Sequence, residues 1–308
     1  MQDRVSIIIP TLNAGPGLAA LLAALPRQTI SATIIAVDSG STDGTLERLS
    51  SAGARVVTIA PDTFNHGDSR NLGLAQAVGE LAVLLVQDAV PATDTWLEEL
   101  IAPFANPSVA GSYGRQQARP DASRLTAHYL ASWAAARAEP WISGPLDREQ
   151  FRRMTPAQRH AACAFDNVCS CVRLSVWRKH PFRRTPIAED LHWAAEVLLA
   201  GHRIAYAPAA LVWHSHDRPV RYELQRTYLV HQQLQQIFGL STVPRASSLL
   251  RSIAATLPTH LRIAATEPRC RARAMLKGAA LAAALPLGQY LGARSSREGR
   301  ELLRVRGV

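Results

Sequence analysis

The first part of the chain alternates short, continuous apolar runs with longer segments of helical period, and this constrains the fold more than any other feature. The runs are VSIIIP, SATIIAVD, ARVVTIA and LAVLLVQD, and between them lie LAALLAAL, TLERLSSAG and DSRNLGLAQAVG. A strand apolar on both faces must be covered on both faces, so the pattern predicts strand–helix–strand units around a parallel sheet. Gly53 and Gly79 stand where left-handed C-caps would close two of the helices. In an open sheet of this kind the carboxyl ends of the strands form one rim, and ligands bind there. Pro10, Thr11, Asp38 and Asp88 all fall at strand ends and are expected along that rim.

The rhythm changes after residue 110. GSYGRQQARPDA reads as a loop, 122–160 as mostly helical with EPWISGPLD interrupting it, and FDNVCSCVRLSVW as a strand. A helix starts near Glu189, with Leu191, Ala194, Ala195, Leu198 and Leu199 on one stripe and Gly201 ending it. RIAYAPAALVWHSH reads as a further strand, and 220–240 and 245–308 as helices. A chain of 308 residues is long enough for one large domain with an appendage.

Hydrophobic content of 47% with 19% charged residues excludes a disordered chain. No secretory signal is legible in MQDRVSIIIP, and GAALAAALPLG is too short to span a bilayer, so a cytoplasmic protein is expected. The four cysteines are then free thiols, with Cys169 and Cys171 packed on one strand face. Charge is uneven: residues 245–308 carry eleven arginines and one lysine against Glu267, Glu298 and Glu301, a balance of +9 out of the formal +10.

Several polar residues admit two readings. Asp38 opens DSGSTDGT, which suits a strand-to-helix turn rich in caps or a ligand loop; no GxGxxG supports a dinucleotide site. Asp88 is either a turn residue before Pro91 or a hard oxygen donor suited to Mg²⁺ or Mn²⁺. Glu189 and Asp190 precede a helix, whose dipole favours one acid; a second needs a cation, a hydrogen bond or a role as general base. His214 and His216 in WHSH are a strand end or a metal-binding pair.

SIIIPTLNAG, VDSGSTDGT, FNHGDSRNLG, GELAVLLVQDAVP, YGRQ, IAEDLHWAAEVLLAGHRIAYAP and VWHSH, in this order, resemble the family-2 glycosyltransferases of GT-A fold, more narrowly the bacterial rhamnosyltransferase branch. The resemblance runs from about residue 5 to about 220. It implies an α/β fold with a Rossmann-like, mostly parallel central sheet flanked by helices: a transferase domain over 1–220, with a nucleotide-binding half at about 1–110 and an acceptor-side half at about 111–220. A basic helical region follows over 221–308. The implied reaction is inverting transfer of a sugar, L-rhamnose from dTDP-L-rhamnose, onto a glycan or lipid-linked glycan during cell-surface polysaccharide synthesis. The resemblance places Pro10, Thr11, Asn13 and Asp38 at the nucleoside and Arg70 at a phosphate oxygen. Gln87 and Asp88 fall at the family's DxD motif, which here keeps one acid, with His214 or His216 as the distal ligand of Mg²⁺ or Mn²⁺. Asp190 is the implied base, with Glu189 as the alternative.

The basic tail suits the anionic inner face of the cytoplasmic membrane, where a lipid-linked acceptor would be presented. Nucleic acid is not expected as a partner, because Tyr290 is the only aromatic residue between 245 and 308. Two other readings stay open: a donor linked to UDP or GDP, and a non-catalytic relative that binds glycans or nucleotide sugars.

Overall fold

In the computed structural model, which describes residues 5–268 and 270–305, the expected alternation forms. It runs β1 (Val5–Thr11), α1 (Gly15–Ala24), β2 (Thr33–Asp38), α2 (Thr45–Ser51), β3 (Arg55–Thr58), α3 (His66–Ala75) and β4 (Leu81–Leu85). β1 pairs in parallel with β2 and β4, and β2 with β3. Thr11 lies opposite Asp38, and Asp38 opposite Thr58, so the polar strand ends share one rim. Gly53 takes the left-handed conformation after α2, at φ +71°. α3 stops at Ala75, ahead of the expected Gly79, because Gln76 already folds its N–H back to Gly73 and Leu74. A turn closed by Ala89 N–H to the Val86 carbonyl follows β4 and carries Gln87 and Asp88.

The chain continues through β5 (Val90–Pro91), α4 (Trp96–Ile101) and β6 (Val109–Gln117). β6 occupies the segment expected to be a loop. Its glycines do not mark a turn; they permit close packing. A Cβ at Gly111 would lie 2.8 Å from the Trp193 ring, and one at Gly114 would lie 2.3 Å from the Ala210 carbonyl oxygen. Ser112 is buried and donates to the Leu100 carbonyl at 2.6 Å, so this hydroxyl is paired inside the protein.

Next come α5 (Arg124–Ala131), β7 (Trp141–Ser143), α6 (Arg148–Arg153), α7 (Pro156–Ala162), β8 (Cys169–Arg173), α8 (Leu174–Trp177), α9 (Glu189–Leu199) and β9 (Arg203–Trp213). The sheet runs β3-β2-β1-β4-β8-β6-β9-β5, with β7 also paired to β9. It is parallel on its first side and mixed beyond β4, where β8 runs antiparallel to both β4 and β6. α9 buries Trp193, Ala194, Val197 and Leu198, a face rotated from the expected stripe; Leu191, Ala195 and Leu199 are half-buried. Trp193 sets that rotation by stacking near Phe165 and Phe182 and donating to the His180 carbonyl at 2.8 Å. Cys169 and Cys171 are buried free thiols in the core with Ile7, Ile9, Leu18, Val83 and Trp96.

The chain divides into two units: 1–117, 133–153 and 162–214 form the first, and 118–132, 154–161 and 215–308 the second. The first holds the sheet. In the second, α10 (Val220–Phe238), α11 (Ala246–Ala265) and α12 (Arg271–Glu298) pack together. Gly292 of α12 lies so close to α10 that a Cβ would come within 2.2 Å of the Tyr228 carbonyl oxygen, and Tyr228 Oη donates to Ser295 Oγ at 2.7 Å. α11 differs from its neighbours: among its residues Ala264 alone is buried, and Leu250 is 70% exposed. Among the described residues no helix is long and apolar enough to cross a membrane.

Candidate active site

Three loops at the rim are tied to one another by side chains. Asp38, fully buried, accepts from Gly40 N–H and Ser41 N–H on Oδ1, each at 2.9 Å, and from Thr11 Oγ1 at 2.9 Å and Ser41 Oγ at 2.5 Å on Oδ2. Burial works against its ionisation, and these hydrogen bonds outweigh it, so its carboxyl lies below the usual carboxylate range. Asn13, at φ +44°, accepts from Thr42 N–H at 2.9 Å, and its own N–H donates to Ser41 Oγ at 2.8 Å. Gln87 grips the end of β1 from the other side, accepting from Leu12 N–H at 2.8 Å and donating to the Leu12 carbonyl at 3.2 Å. Pro10 is half-buried in β1 opposite Val37. Thr11, Asn13, Asp38 and Gln87 are therefore brought together, with much of their bonding capacity directed at shaping the rim.

Glu189 and Asp190 open α9 after Ala188, which is left-handed at φ +65°. Their surroundings diverge sharply. Glu189 is buried, ion-paired to Arg70 Nη1 at 2.9 Å and bonded to Asn167 Nδ2 at 3.1 Å. Burial opposes its charge, but Arg70, His66 and the Asn167 amide prevail and hold its carboxyl below the ordinary value. Arg70 is buried too, donates to the His66 carbonyl, and has no hydrogen-bond partner at Nε. The half-buried Asp190 accepts from Leu191 N–H at 2.8 Å and from Asn167 N–H at 3.4 Å. Desolvation pushes its carboxyl up to about 8, helped by the charges of Glu189 and Asp166. Two neighbouring carboxylates with opposed titration are the arrangement in which one stays ionised and the other exchanges a proton.

Asp88 lies at the start of α1, where a Cβ on Gly17 would come 3.1 Å from its own Cβ. His214 Nε2 faces Asp88 Oδ1 at 3.6 Å. With His216, two residues further on, these side chains offer ligand atoms all within 4.8 Å of one another. One carboxylate and two imidazoles suit Mn²⁺ or a similar divalent ion. His214 Nδ1 lies 3.1 Å from Gln116 Oε1, a carbonyl that only accepts, so in the neutral ring Nδ1 carries the proton. Nε2 then presents a lone pair to a carboxylate oxygen. In that neutral form two electron-rich atoms face each other, and either a proton on the ring or a metal cation between them resolves the repulsion; the donor set fits a metal.

Gln116, Asp166 and Asn167 were not singled out in the sequence. Gln116 Nε2 donates to Asp166 Oδ2, Asp166 Oδ1 accepts from Val168 N–H at 2.9 Å, and Asn167 touches both acids of α9. An unbroken series of contacts thus leads from Asp88 through His214, Gln116 and the Asp166–Asn167 pair to Asp190. The signal was present: Asp166 and Asn167 border an apolar strand as Gln87 and Asp88 do.

The family model for glycosyl transferase family 2 matches residues 6–166. The O-antigen chain rhamnosyltransferase RfbN of Salmonella typhimurium is 32% identical over 228 residues, covering 73% of this chain and 70% of that protein. The O-antigen chain rhamnosyltransferase WbaN of Salmonella anatum is 33% identical over 229 residues, covering 72% and 70%. A solved structure of a mannosyltransferase from Pyrobaculum calidifontis, in complex with GDP-Man and Mn²⁺, superposes with a TM-score of 0.60 at 18% identity, covering 97% of this chain and 88% of that one. The fold is GT-A, and the chain belongs to glycosyl transferase family 2. It is a glycosyltransferase, which agrees with the class of enzyme implied by the sequence motifs.

Proposed function

We propose that this enzyme transfers L-rhamnose from dTDP-L-rhamnose, with inversion, to a glycan or lipid-linked glycan of a cell-surface polysaccharide. The names of the Salmonella relatives support the sugar and the pathway class. The observation that carries the mechanism is the contrast between the two acids of α9. Asp190, with its raised carboxyl pKa and few donors, is the base that accepts the proton of the acceptor hydroxyl as it attacks the anomeric carbon. A single displacement of this kind inverts the configuration. Glu189, ionised against Arg70, is a positioning residue and not the base.

Pro10, Thr11, Asn13, Asp38 and Gln87 form the nucleoside rim, with Asp38 holding the loop in shape. Arg70 Nε, a buried donor lacking a partner, is offered to a phosphate oxygen. Asp88, His214 and His216 would hold Mg²⁺ or Mn²⁺. When bound, the ion supplies charge neutralisation at the departing diphosphate. The Mn²⁺ bound together with GDP-Man in the mannosyltransferase complex supports a divalent ion here.

In this reading 1–220 carries the chemistry, donor side first, and 221–308 meets the anionic inner face of the cytoplasmic membrane. The exposed Leu250 and Leu276, with Arg251, Arg262 and Arg273 exposed on the same two helices, support that contact. Thermal unfolding with a panel of dTDP-, UDP- and GDP-sugars tests the donor. A ligand at 100 times its Kd adds about 2.7 kcal/mol, and stabilisation by UDP- or GDP-sugars with none from dTDP-rhamnose would reject the assignment.

A further inference from the structure

The geometry points to Gln116 as a positioning residue: we propose that it locks His214 in the Nδ1–H tautomer and so aims the Nε2 lone pair at the cation position beside Asp88. This role rests on the cation reading above and begins at Asp166. An ionised carboxylate accepts hydrogen bonds and cannot donate. Asp166 Oδ2 faces the Gln116 amide, and Oδ1 takes Val168 N–H at 2.9 Å. The amide must therefore present Nε2 to Asp166, which turns Oε1 the other way. There it lies 3.1 Å from His214 Nδ1. A carbonyl oxygen needs a proton from its neighbour, so the ring proton goes to Nδ1 and Nε2 is left unprotonated, 3.6 Å from Asp88 Oδ1.

The backbone makes the arrangement rigid. Gln116 is 2% exposed on β6, paired opposite Val212 of β9, and His214 N–H bonds to the Gln117 carbonyl at 2.9 Å. The side chains of Gln116 and His214 are thus carried by two hydrogen-bonded strands. Partners of this kind orient the ligand ring and raise its basicity, and losing one commonly lowers metal affinity about 10–100-fold. Gln116 also joins the cation position to the Asp166–Asn167 segment that contacts Asp190. Cation ligand and base thereby share one support.

The test uses the full chain, without donor, at alkaline pH where the ring is neutral. Long-range nitrogen–proton correlation spectra of the histidine rings read the tautomer, and titration with Mn²⁺ alone, followed by electron paramagnetic resonance, reads affinity. The wild type is expected to hold His214 as Nδ1–H. Gln116→Met, which keeps length and removes both amide functions, is expected to shift the ring toward Nε2–H and to weaken Mn²⁺ about tenfold or more. Gln116→Glu should not rescue it, because a second carboxylate would face Asp166. Should Gln116→Met fail to fold, Asp166→Asn asks the same question: its Oδ1 still takes Val168 N–H, so its amide nitrogen faces Gln116 and turns that side chain over, and the ring should shift toward Nε2–H. A wild-type Nε2–H tautomer, or a folded variant with unchanged tautomer and unchanged Mn²⁺ affinity, overturns the proposal. Failure of the wild type to bind Mn²⁺ refutes the cation reading instead, and the tautomer comparison still decides the role of Gln116.

Discussion

Asp190→Asn should make the protein more stable while disabling it. Asparagine keeps one acceptor oxygen, enough for the 2.8 Å bond from Leu191 N–H, and gives up only the long 3.4 Å bond from Asn167 N–H, so most of the local geometry survives. What disappears is a carboxylate that burial, Glu189 and Asp166 all disfavour. At pH 7 the unfolded carboxyl, with its ordinary value of 3.8, has lost its proton, whereas the folded one, near 8, retains it. The interval from 3.8 to pH 7 is about three pH units at about 1.4 kcal/mol each, or ~4 kcal/mol. Asp190 is half-buried and shares its titration with Glu189, so roughly half of that, about 2 kcal/mol, is the expected gain. The sign follows from the raised folded value. Wild-type stability from this group is complete below about pH 4 and is lost as pH rises toward 8. The advantage of the variant over wild type should therefore grow between about pH 4 and 8 and level off above. Urea unfolding across that range measures it, and rhamnosyl transfer measured alongside should fall about 10²-fold or more. A variant less stable than wild type at pH 8, or one that transfers sugar at a near-normal rate, would refute the reasoning.

Transfer by the wild type should rise with pH through about 8 as Asp190 loses its proton; a rate flat from pH 6 to 9, measured with saturating substrates, contradicts the base assignment. Asp88→Ala should weaken donor binding in the presence of Mn²⁺ and change it little in its absence, and calorimetric donor affinities that ignore metal in the wild type would remove the cation role. Arg70→Met leaves the buried Glu189 charge unpaired and should cost about 3–5 kcal/mol, much of it recovered in Arg70→Met/Glu189→Leu; equal stability of the single and double variants in urea would argue against the pair. Replacing Arg251 and Arg262 by alanine should lower co-sedimentation with anionic vesicles, at about 1 kcal/mol for each charge, and undiminished binding would clear α11 of that contact.

The parallel side of the sheet was legible because local sequence dictates it. β1, β2 and β4 are apolar on both faces, the helices between them have helical period, and parallel strands put Thr11 and Asp38 side by side by register. β6 was not legible, because Gly111 and Gly114 are there to admit Trp193 and the Ala210 carbonyl, partners far away in sequence. The site divides in the same way. That Glu189 and Asp190 needed a reason to coexist was readable from their adjacency. Which of them keeps its proton depends on Arg70 and Asn167, whose approach only the folded chain reveals. Gln116 closes the stretch YGRQ, yet its role needs the β6–β9 pairing that carries it to His214.

Asp38 and Asp190 show how one residue type acquires opposite properties in a single domain. Asp38 has no solvent exposure, and burial alone would push its carboxyl up. Four donors converge on its two oxygens, from Thr11, Gly40 and twice from Ser41, and they reverse the direction. Asp190 receives two backbone donors, one of them long, and has carboxylates as neighbours, so its shift stays upward. Donor supply, more than depth, decides the outcome. An acid held by four donors cannot take a proton without breaking them, which suits a loop that must keep its shape. An acid with few donors and negative neighbours gains by taking one, and that is the property a base for an incoming hydroxyl requires.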